Sequence, residues 1–335
     1  MTQPLTLHTG APITQFNFRA LESGDNLDVQ EAAQRTNISP GRLGLQPRAL
    51  TVFLWHAVRE VLRGRVEEQG VAQLRSSKTL VEITEEEECV RLRFDDGDEV
   101  TARVVLACDG ARSACRRLLP SEPDDLLIDE GKSVWRGLAA GLDADGVSTT
   151  FKDDAGRIGL VMPAGVGQGS SWTLICDAVA GHSSSSEEAR ARLAAALPEK
   201  LDATLRQAID ASPIIIESKL QTRDFSKPWA SAAPRVAFLG DAAHPLRPTG
   251  EGTALALEDA WTIGSLAAEA ATADAFCTPA TLRQYETSRR ARVEAVSNAV
   301  RLVARRSYEK DAKKLINRKE ISTAYEEFPI VCTPL

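Results

Sequence analysis

Apolar residues recur at helical spacing near the start of the chain and at strand spacing after it. In residues 48–63, seven apolar side chains lie on one helical face: Leu50, Phe53, Leu54, Ala57, Val58, Val61 and Leu62. Pro47 is tolerated in a first turn, so we predict a helix there. Three alternating runs follow, with a turn of aspartates and glycine at 95–98 between the last two. They predict a small β-meander that ends in a buried strand, and they cover 79–84, 89–94 and 99–107.

The middle of the chain predicts an antiparallel sheet, because strand-like runs are separated there by glycine-rich turns. These runs are 134–138, 157–162 and 172–177. The glycine run at 165–169 lies between two of them, which favours a hairpin over a nucleotide-binding loop. The amphipathic stretch at 187–209 predicts a helix, and Ser185 and Glu188 have the spacing of a capping box at its start.

A strand-turn-helix unit precedes this antiparallel region. The apolar run at 104–107 leads into a tight turn with Asp109 and then into a helix with Ser113 as its N-cap. Towards the other end of the chain, an alanine-rich helix precedes a long basic helix over 279–320. The basic side chains of this long helix indicate a face exposed to solvent, and binding to an anionic surface is the alternative.

A second strand-turn-helix unit carries the most specific pattern in the chain. The apolar run at 236–239 leads into Gly240 and Asp241, a crossing segment rich in proline and glycine, and a helix that opens near Thr253. A carboxylate and a helix N-terminus then face one small volume. Free backbone N–H groups and the positive end of the helix dipole make that volume a seat for an anionic or electron-rich ligand.

Composition narrows the classes of function. A chain of 335 residues with 43% hydrophobic and 26% charged residues is expected to fold as a globular protein, with two domains. Its net charge of −7 argues against a general nucleic-acid partner. We expect no secretion signal and no membrane span, and the six cysteines lack metal-binding spacing. An intracellular, cytoplasmic location with reduced thiols fits this pattern, and we read Cys108 and Cys115 as packing residues.

The string from Arg235 to Asp259 resembles the second FAD-binding motif of the single-component aromatic hydroxylases, the flavin monooxygenases of the para-hydroxybenzoate and salicylate hydroxylase type. The string from Cys108 to Arg116 is similar to the Asp-Gly motif of the same family. Weaker similarities support these two: 135–137 resembles the first strand of the family's substrate domain, and 285–290 its C-terminal helix.

The resemblance implies roles for residues of both motifs. Asp109 matches the family aspartate that serves flavin diphosphate and nicotinamide-cofactor binding, and Asp241 the one that hydrogen-bonds the ribityl chain of FAD. Arg48 is placed like the family arginine that reaches the flavin side. The implied cofactor-binding residues are Arg48, Asp109, Gly110, Gly240, Asp241, Pro248, Gly250, Glu251 and Gly252. The pattern identifies no catalytic residue. We interpret His244 as structural, because no serine or cysteine nucleophile pattern accompanies it. A metal site on Asp109, Asp241 and His244 is the disfavoured alternative.

The resemblance also implies an α/β fold. We expect a Rossmann-like FAD/NAD(P)-binding domain, truncated at its N-terminus, with an inserted antiparallel β-sheet substrate domain and a long C-terminal helix. The expected segments are 1–44 for substrate-side strands and a connection, 45–125 and 226–275 for the two parts of the FAD-binding domain, 126–225 for the substrate domain, and 276–335 for the C-terminal helix and tail.

The activity implied is hydroxylation or epoxidation of an aromatic or similar small substrate. In the family, NADH or NADPH reduces FAD, and O₂ forms a flavin C4a-hydroperoxide that transfers oxygen. Two alternatives stay open at this point. One is a non-catalytic or truncated FAD-binding-domain protein with weakened FAD affinity, and the other is a related flavin reductase or halogenase.

Two departures from the family pattern matter. The sequence contains no GxGxxG turn, whose backbone N–H groups hold the FAD diphosphate in the family. Losing those contacts costs roughly 3–6 kcal/mol, or about 10² to 10⁴ in affinity, and would expose an edge of the strand at 236–239. A truncated gene model, a pseudoenzyme and an incomplete but folded protein all fit. The second departure is Glu251, where relatives commonly carry glutamine.

Overall fold

The computed structural model describes residues 11–12, 15–25, 51–52, 54–119, 127–224, 227–231, 234–307 and 319–327. These residues fall into two compact units. Unit 1 draws on Met1–Leu74, Gly131–Leu220 and Arg305–Arg318, and unit 2 draws on Arg75–Glu130, Gln221–Ala304 and Lys319–Leu335. The domain boundaries expected from the sequence remain predictions.

Strands and helices alternate irregularly along the chain. The strands are β1 (Ala11–Pro12), β2 (Gln15–Ala20), β3 (Thr51–Val52), β4 (Leu80–Glu85), β5 (Val90–Phe94), β6 (Glu99–Ala102), β7 (Val105–Ala107), β8 (Ile128–Ala139), β9 (Val147–Lys152), β10 (Ile158–Pro163), β11 (Ser170–Asp177), β12 (Ile215–Thr222) and β13 (Val236–Phe238). The helices are α1 (Trp55–Gln69), α2 (Ala114–Leu118), α3 (Ser186–Ala196), α4 (Ala203–Asp210), α5 (Glu251–Glu269), α6 (Ala273–Phe276), α7 (Pro279–Ser307) and α8 (Lys319–Glu327).

A six-stranded sheet dominates unit 1, in the order β12-β8-β11-β10-β9-β2. The strands β8 to β11 pair antiparallel, as predicted, and β2 joins β9 in parallel. Trp135 and Trp172 lie in the buried core of this unit with side chains of α3 and α4. Gly137 lies opposite Trp172, and a Cβ there would come within 2.6 Å of the indole Nε1, so only glycine leaves room for this ring.

The glycine run at 165–169 connects β10 to β11 as the predicted hairpin. The single helix predicted over 187–209 is wrong, since α3 and α4 are separate helices. Pro198 lies in the break, where its missing N–H cannot continue a helix. Of the two hydrogen bonds in the predicted capping box, one is present: Glu188 N donates to Ser185 Oγ at 3.1 Å. In place of the second, the Glu188 carboxylate accepts from Ser184 N rather than from Ser185 N.

The helix predicted over 48–63 begins later than expected. Thr51–Val52 form β3 and pair antiparallel with β1, so α1 starts at Trp55. Both are β-branched residues, which favour an extended backbone when a partner strand is present. The helix ends at Gly70, whose φ of +63° suits a left-handed cap.

Unit 2 contains the predicted three-stranded meander β4-β5-β6 and a separate parallel pair, β7 and β13. We expected an exposed edge along 236–239, and this expectation is wrong. All three residues of β13 are buried, and Ala230 bridges Ala237 on the side away from β7. In β7, by contrast, Leu106 is 36% exposed, so exposed apolar surface lies on β7 instead.

The helices after β13 differ from their predicted bounds. Helix α5 opens at Glu251 rather than near Thr253. Helix α7 ends at Ser307, whereas we predicted a helix over 279–320, of which residues 308–318 lie outside the described part. None of the described helices is long and apolar enough to cross a membrane.

Candidate functional site

The parallel pair β7 and β13 brings the two sequence motifs together. In register, Val105 lies beside Val236 and Ala107 beside Phe238. Asp109 follows β7 directly, and Asp241 follows β13. Parallel neighbouring strands end at the same edge of a sheet, so both aspartates lie beyond one edge. In α/β folds, ligands commonly bind beyond the carboxyl ends of the strands.

The first turn is shaped by the cap of α2. Asp109 accepts a hydrogen bond from Cys115 N through Oδ2 at 3.0 Å, and Ser113 Oγ accepts one from Arg116 N at 3.1 Å, which confirms Ser113 as the N-cap. Gly110 has a φ of +80°, which strongly favours glycine at this turn. Asp109 itself is exposed, so a ligand can reach this turn.

The second turn packs closely against α5. Gly240 has a φ of +56°, and a Cβ there would lie 3.1 Å from Cβ of Ala256. Asp241 is exposed and makes no hydrogen bond within the described ranges. Desolvation by the surrounding protein raises the pKa of Asp241, and the nearby His244 opposes that shift. The turn therefore presents a carboxylate that no described side chain satisfies.

The N-terminus of α5 lies beside this carboxylate. A Cβ on Gly252 would come within 3.8 Å of Asp241 Oδ1, so the first helical turn and the aspartate share one small volume, as predicted. Gly250 precedes the helix with a φ of +103°, and Glu251 is buried in the first turn. Pro248 is exposed in the crossing segment. Unpaired N–H groups of a first turn attract negative charge.

The crossing segment is braced by an ion pair. Arg247 pairs with Glu130, and both side chains are largely buried. The other oxygen of Glu130 accepts a hydrogen bond from Thr222 Oγ1 at 2.6 Å. This brace joins the segment to the first strand residues of β8 and the last residue of β12.

Sequence reasoning missed a buried charge cluster behind the second turn. Asp259, which is fully buried, accepts hydrogen bonds from Gly240 N at 2.8 Å, from His244 Nε2 at 2.6 Å and from Arg289 Nε at 2.8 Å. Tyr285 completes the cluster by donating to Phe238 O at 3.2 Å. Burial alone would raise the pKa of Asp259, but the bonds from His244 and Arg289 outweigh it and lower that pKa.

A signal for this cluster exists in the sequence. The buried residues of α5 recur at every fourth position and are Glu251, Leu255, Asp259 and Ile263. A carboxylate in the middle of a buried stripe requires partners, because a buried unpaired charge is very costly. The partners themselves lie far away in sequence, so the stripe identifies Asp259 but not Arg289.

Arg116 links the two motifs. It is buried, and its Nε donates to Ala242 O at 2.7 Å while a terminal nitrogen donates to Pro228 O at 3.1 Å. Its guanidinium lies 3.8 Å from the ring centre of Phe238, within the range of a cation–π contact. Helix α2 therefore holds the backbone just after Asp241.

The structure thus gathers eight of the nine expected cofactor-binding residues in unit 2, while Arg48 lies outside the described residues. The group fits the FAD that the sequence resemblance implies. Asp241 offers an unsatisfied acceptor for hydroxyl groups, and a Cβ at Gly110 or Gly250 would meet no described atom within 4 Å, which leaves open space at both turns. Among the described residues, no group of three histidine, cysteine or acidic side chains is arranged to hold a metal ion.

Comparisons with known proteins agree with this geometry. Residues 14–300 match the family described as FAD binding domain. The chain is 28% identical over 258 residues to the dual trans-enoyl reductase/FAD-dependent monooxygenase tazHJ of Aspergillus terreus, a match that covers 69% of this chain and 34% of that protein. It is 31% identical over 239 residues to 3-amino-4-hydroxybenzoate 2-monooxygenase PtnB3 of Streptomyces platensis, covering 67% of this chain and 56% of that protein.

A solved structure shows the shared fold. HpxO of Klebsiella pneumoniae, crystallised with FAD and uric acid, superposes with a TM-score of 0.72 at 22% identity, covering 97% of this chain and 78% of that one. The expected α/β class is therefore confirmed. The chain spans 34% of the first curated relative and 56% of the second.

Proposed function

The chain belongs to the FAD binding domain family, and from that premise we propose that it serves as the flavin-binding part of a monooxygenase. Its substrate would be an aromatic or similar small organic molecule, with NADH or NADPH and O₂ as co-substrates. The observation that carries this proposal is the shared edge of β7 and β13, beyond which Asp109 and Asp241 both lie.

Different residues at this edge would contact different parts of FAD. Asp241 would accept hydrogen bonds from ribityl hydroxyl groups, since its carboxylate is exposed and unsatisfied among described residues. Asp109 and Gly110 would border the diphosphate, and Gly250 and Gly252 would let the backbone approach the ring system. Gly240 shapes the turn after β13, Pro248 lies in the crossing segment, and Glu251 lies in the first turn of α5.

When bound, FAD supplies hydride acceptance from NAD(P)H and activation of O₂ for oxygen insertion into the substrate. The chain's own contribution is electrostatic and positional. The N-terminus of α5 lies beside Asp241 and would stabilise negative charge there, because a first helical turn offers unpaired N–H groups and the positive end of the dipole. The brace of Arg247 on Glu130 holds the crossing segment that leads into this helix.

The decisive experiment is a flavin titration of the purified chain followed by turnover. Binding of one FAD per chain, followed by NAD(P)H oxidation coupled to a hydroxylated or epoxidised product, supports the proposal. A chain that binds no added FAD contradicts it and favours a non-catalytic protein. FAD reduction without oxygen insertion, or with halide incorporation, favours a reductase or a halogenase.

A further inference from the structure

Three donors converge on one fully buried carboxylate behind the second turn. The oxygens of Asp259 accept from Gly240 N, His244 Nε2 and Arg289 Nε, at 2.8, 2.6 and 2.8 Å. Two of these donors, Gly240 and His244, lie on either side of Asp241 in the sequence. One carboxylate on α5 therefore ties down both ends of the turn that carries Asp241.

The turn depends on this tie because Asp241 has no side-chain anchor of its own. Its carboxylate is exposed and makes no hydrogen bond within the described ranges. Where that carboxylate points is consequently set by the backbone from 240 to 244. Among the described residues, that backbone is also held by the bond from Arg116 Nε to Ala242 O and by the bond from His244 N to Gly240 O at 2.8 Å.

The chemistry of the cluster makes it rigid. The charge of Asp259 is balanced by Arg289, so the buried pair is not left with an uncompensated ion. Because an ionised carboxylate only accepts hydrogen bonds, His244 Nε2 carries the proton in its bond to Asp259. Trp229 packs over the imidazole with ring centres 5.0 Å apart and closes the cluster on one side.

We propose that Asp259 is a positioning residue for the cofactor site: together with His244 and Arg289 it holds the turn at 240–244 so that the Asp241 carboxylate is set for its ligand. This inference rests on the proposed function for the identity of that ligand. The hold on the turn itself is a property of the free chain. The two can therefore be tested separately.

The chain supplies a matched control on the same helix. Glu258 is the neighbour of Asp259, it also pairs with Arg289 through Oε2 at 2.8 Å, and it makes its other ion pair with Arg292. No contact joins Glu258 to the turn at 240–244 within the described part of the chain. The change Glu258→Gln therefore removes a carboxylate from the same cluster without releasing the turn.

The first measurement is amide hydrogen exchange in the chain without FAD. In Asp259→Asn, one acceptor oxygen is replaced by a donor and the charge is lost. The amide therefore cannot serve both Arg289 Nε and the pair Gly240 N and His244 Nε2. We expect amides 240–244 to exchange about tenfold faster than in the wild type and those of Glu258→Gln to stay within about threefold. Equal exchange in both variants would overturn the proposal. If Asp259→Asn does not fold, Asp259→Glu keeps the charge, moves it by one methylene, and is judged by the same comparison.

The second measurement is a double-mutant cycle on the Kd for FAD. Asp259→Asn should raise this Kd about tenfold in the wild-type background and by less than about threefold once Asp241 is already asparagine. A full tenfold effect that persists in the Asp241→Asn background would show that Asp259 does not act through Asp241, and would overturn the assignment. If the wild-type chain binds no FAD, the proposed function fails, while the exchange comparison still decides whether Asp259 holds the turn.

Discussion

Arg116 Nε donates a hydrogen bond to the carbonyl oxygen of Ala242 across 2.7 Å, and this bond connects the turn after β7 with the turn after β13. The arginine is buried against Phe238, and it also donates to another carbonyl, that of Pro228. One side chain on α2 thus contacts the backbone of both the turn after β13 and the segment before that strand.

Arg116→Lys should destabilise the fold markedly. A single ammonium on a flexible stem cannot serve Ala242 and Pro228 together, so a buried carbonyl loses its donor. We expect a loss of about 2–4 kcal/mol in the free energy of unfolding, measured by urea denaturation. The matched change Arg117→Lys, at the exposed neighbouring position, should cost under about 0.5 kcal/mol. Equal losses for the two variants would contradict a linking role for Arg116.

Asp241→Asn should weaken FAD binding without weakening the fold. The asparagine keeps one acceptor oxygen but loses the charge-assisted bonds to hydroxyl groups, so we expect the Kd for FAD to rise about tenfold to hundredfold. Flavin fluorescence titration measures this change, with Asp210→Asn at an exposed position of α4 as the control. A Kd that matches the control would argue against Asp241 as a cofactor ligand.

The same variant should also show a defined pH dependence of stability. The pKa of Asp241 is raised in the folded chain, so the folded state binds its proton more tightly than the unfolded state does. The wild type therefore loses stability relative to Asp241→Asn as pH rises from about 4 through the raised pKa, and the difference is constant above it. At pH 7, the free energy of unfolding should be higher for Asp241→Asn than for the wild type. This difference should disappear at low pH. A gap that widens on acidification would reverse the sign and contradict the argument.

Glu251→Gln should tighten FAD binding and raise the flavin reduction potential. The Glu251 carboxylate is buried in the first turn of α5, where it competes with negative charge on a reduced flavin for the same positive field. Removing it should lower the Kd roughly twofold to tenfold. Glu269→Gln, at the far end of the same helix, is the control. If Glu251→Gln leaves both affinity and potential unchanged, the competition does not exist.

Cys108 and Cys115 should differ sharply in reactivity. Burial, with the nearby Asp109 charge, raises the pKa of Cys115 to about 12, so only about 10⁻⁴ of it is thiolate at pH 8. Cys108 is exposed, which corrects the expectation that it packs in the core. Iodoacetamide should modify Cys108 first in the native chain and both equally in urea. Trypsin separates them into peptides 104–112 and 113–116 for mass spectrometry, and faster native labelling of Cys115 would contradict its burial.

Local signals predicted most of the elements and both turns. Alternation predicted β8, β10 and β11, and the glycine and aspartate spacing predicted the turns at 109 and 241, because these conformations depend on nearby residues. The start of the helix predicted over 48–63 was wrong for the opposite reason. Thr51–Val52 pair with β1, and a distant strand overrode the local helical pattern.

Contacts between residues that are distant in the sequence could not be predicted from local patterns. The parallel pairing of β7 with β13 joins segments from opposite sides of the predicted substrate domain, so the sequence implied two turns without showing their shared edge. The ties from Asp259 to Arg289 and from Arg116 to Ala242 likewise join distant positions. A single sequence can show that a buried charge needs a partner, but only the folded structure shows which residue that partner is.

The hydrogen bond from Thr222 to Glu130 has a consequence for replacing the segment between these two residues. It fastens the start of β8 to the end of β12, which are also neighbours in the six-stranded sheet. The segment of about ninety residues between Glu130 and Thr222 therefore has its two ends close together, and the pairing of β8 with β12 holds them there. We therefore expect that a replacement segment with equally close ends would leave the register of β7 and β13 unchanged.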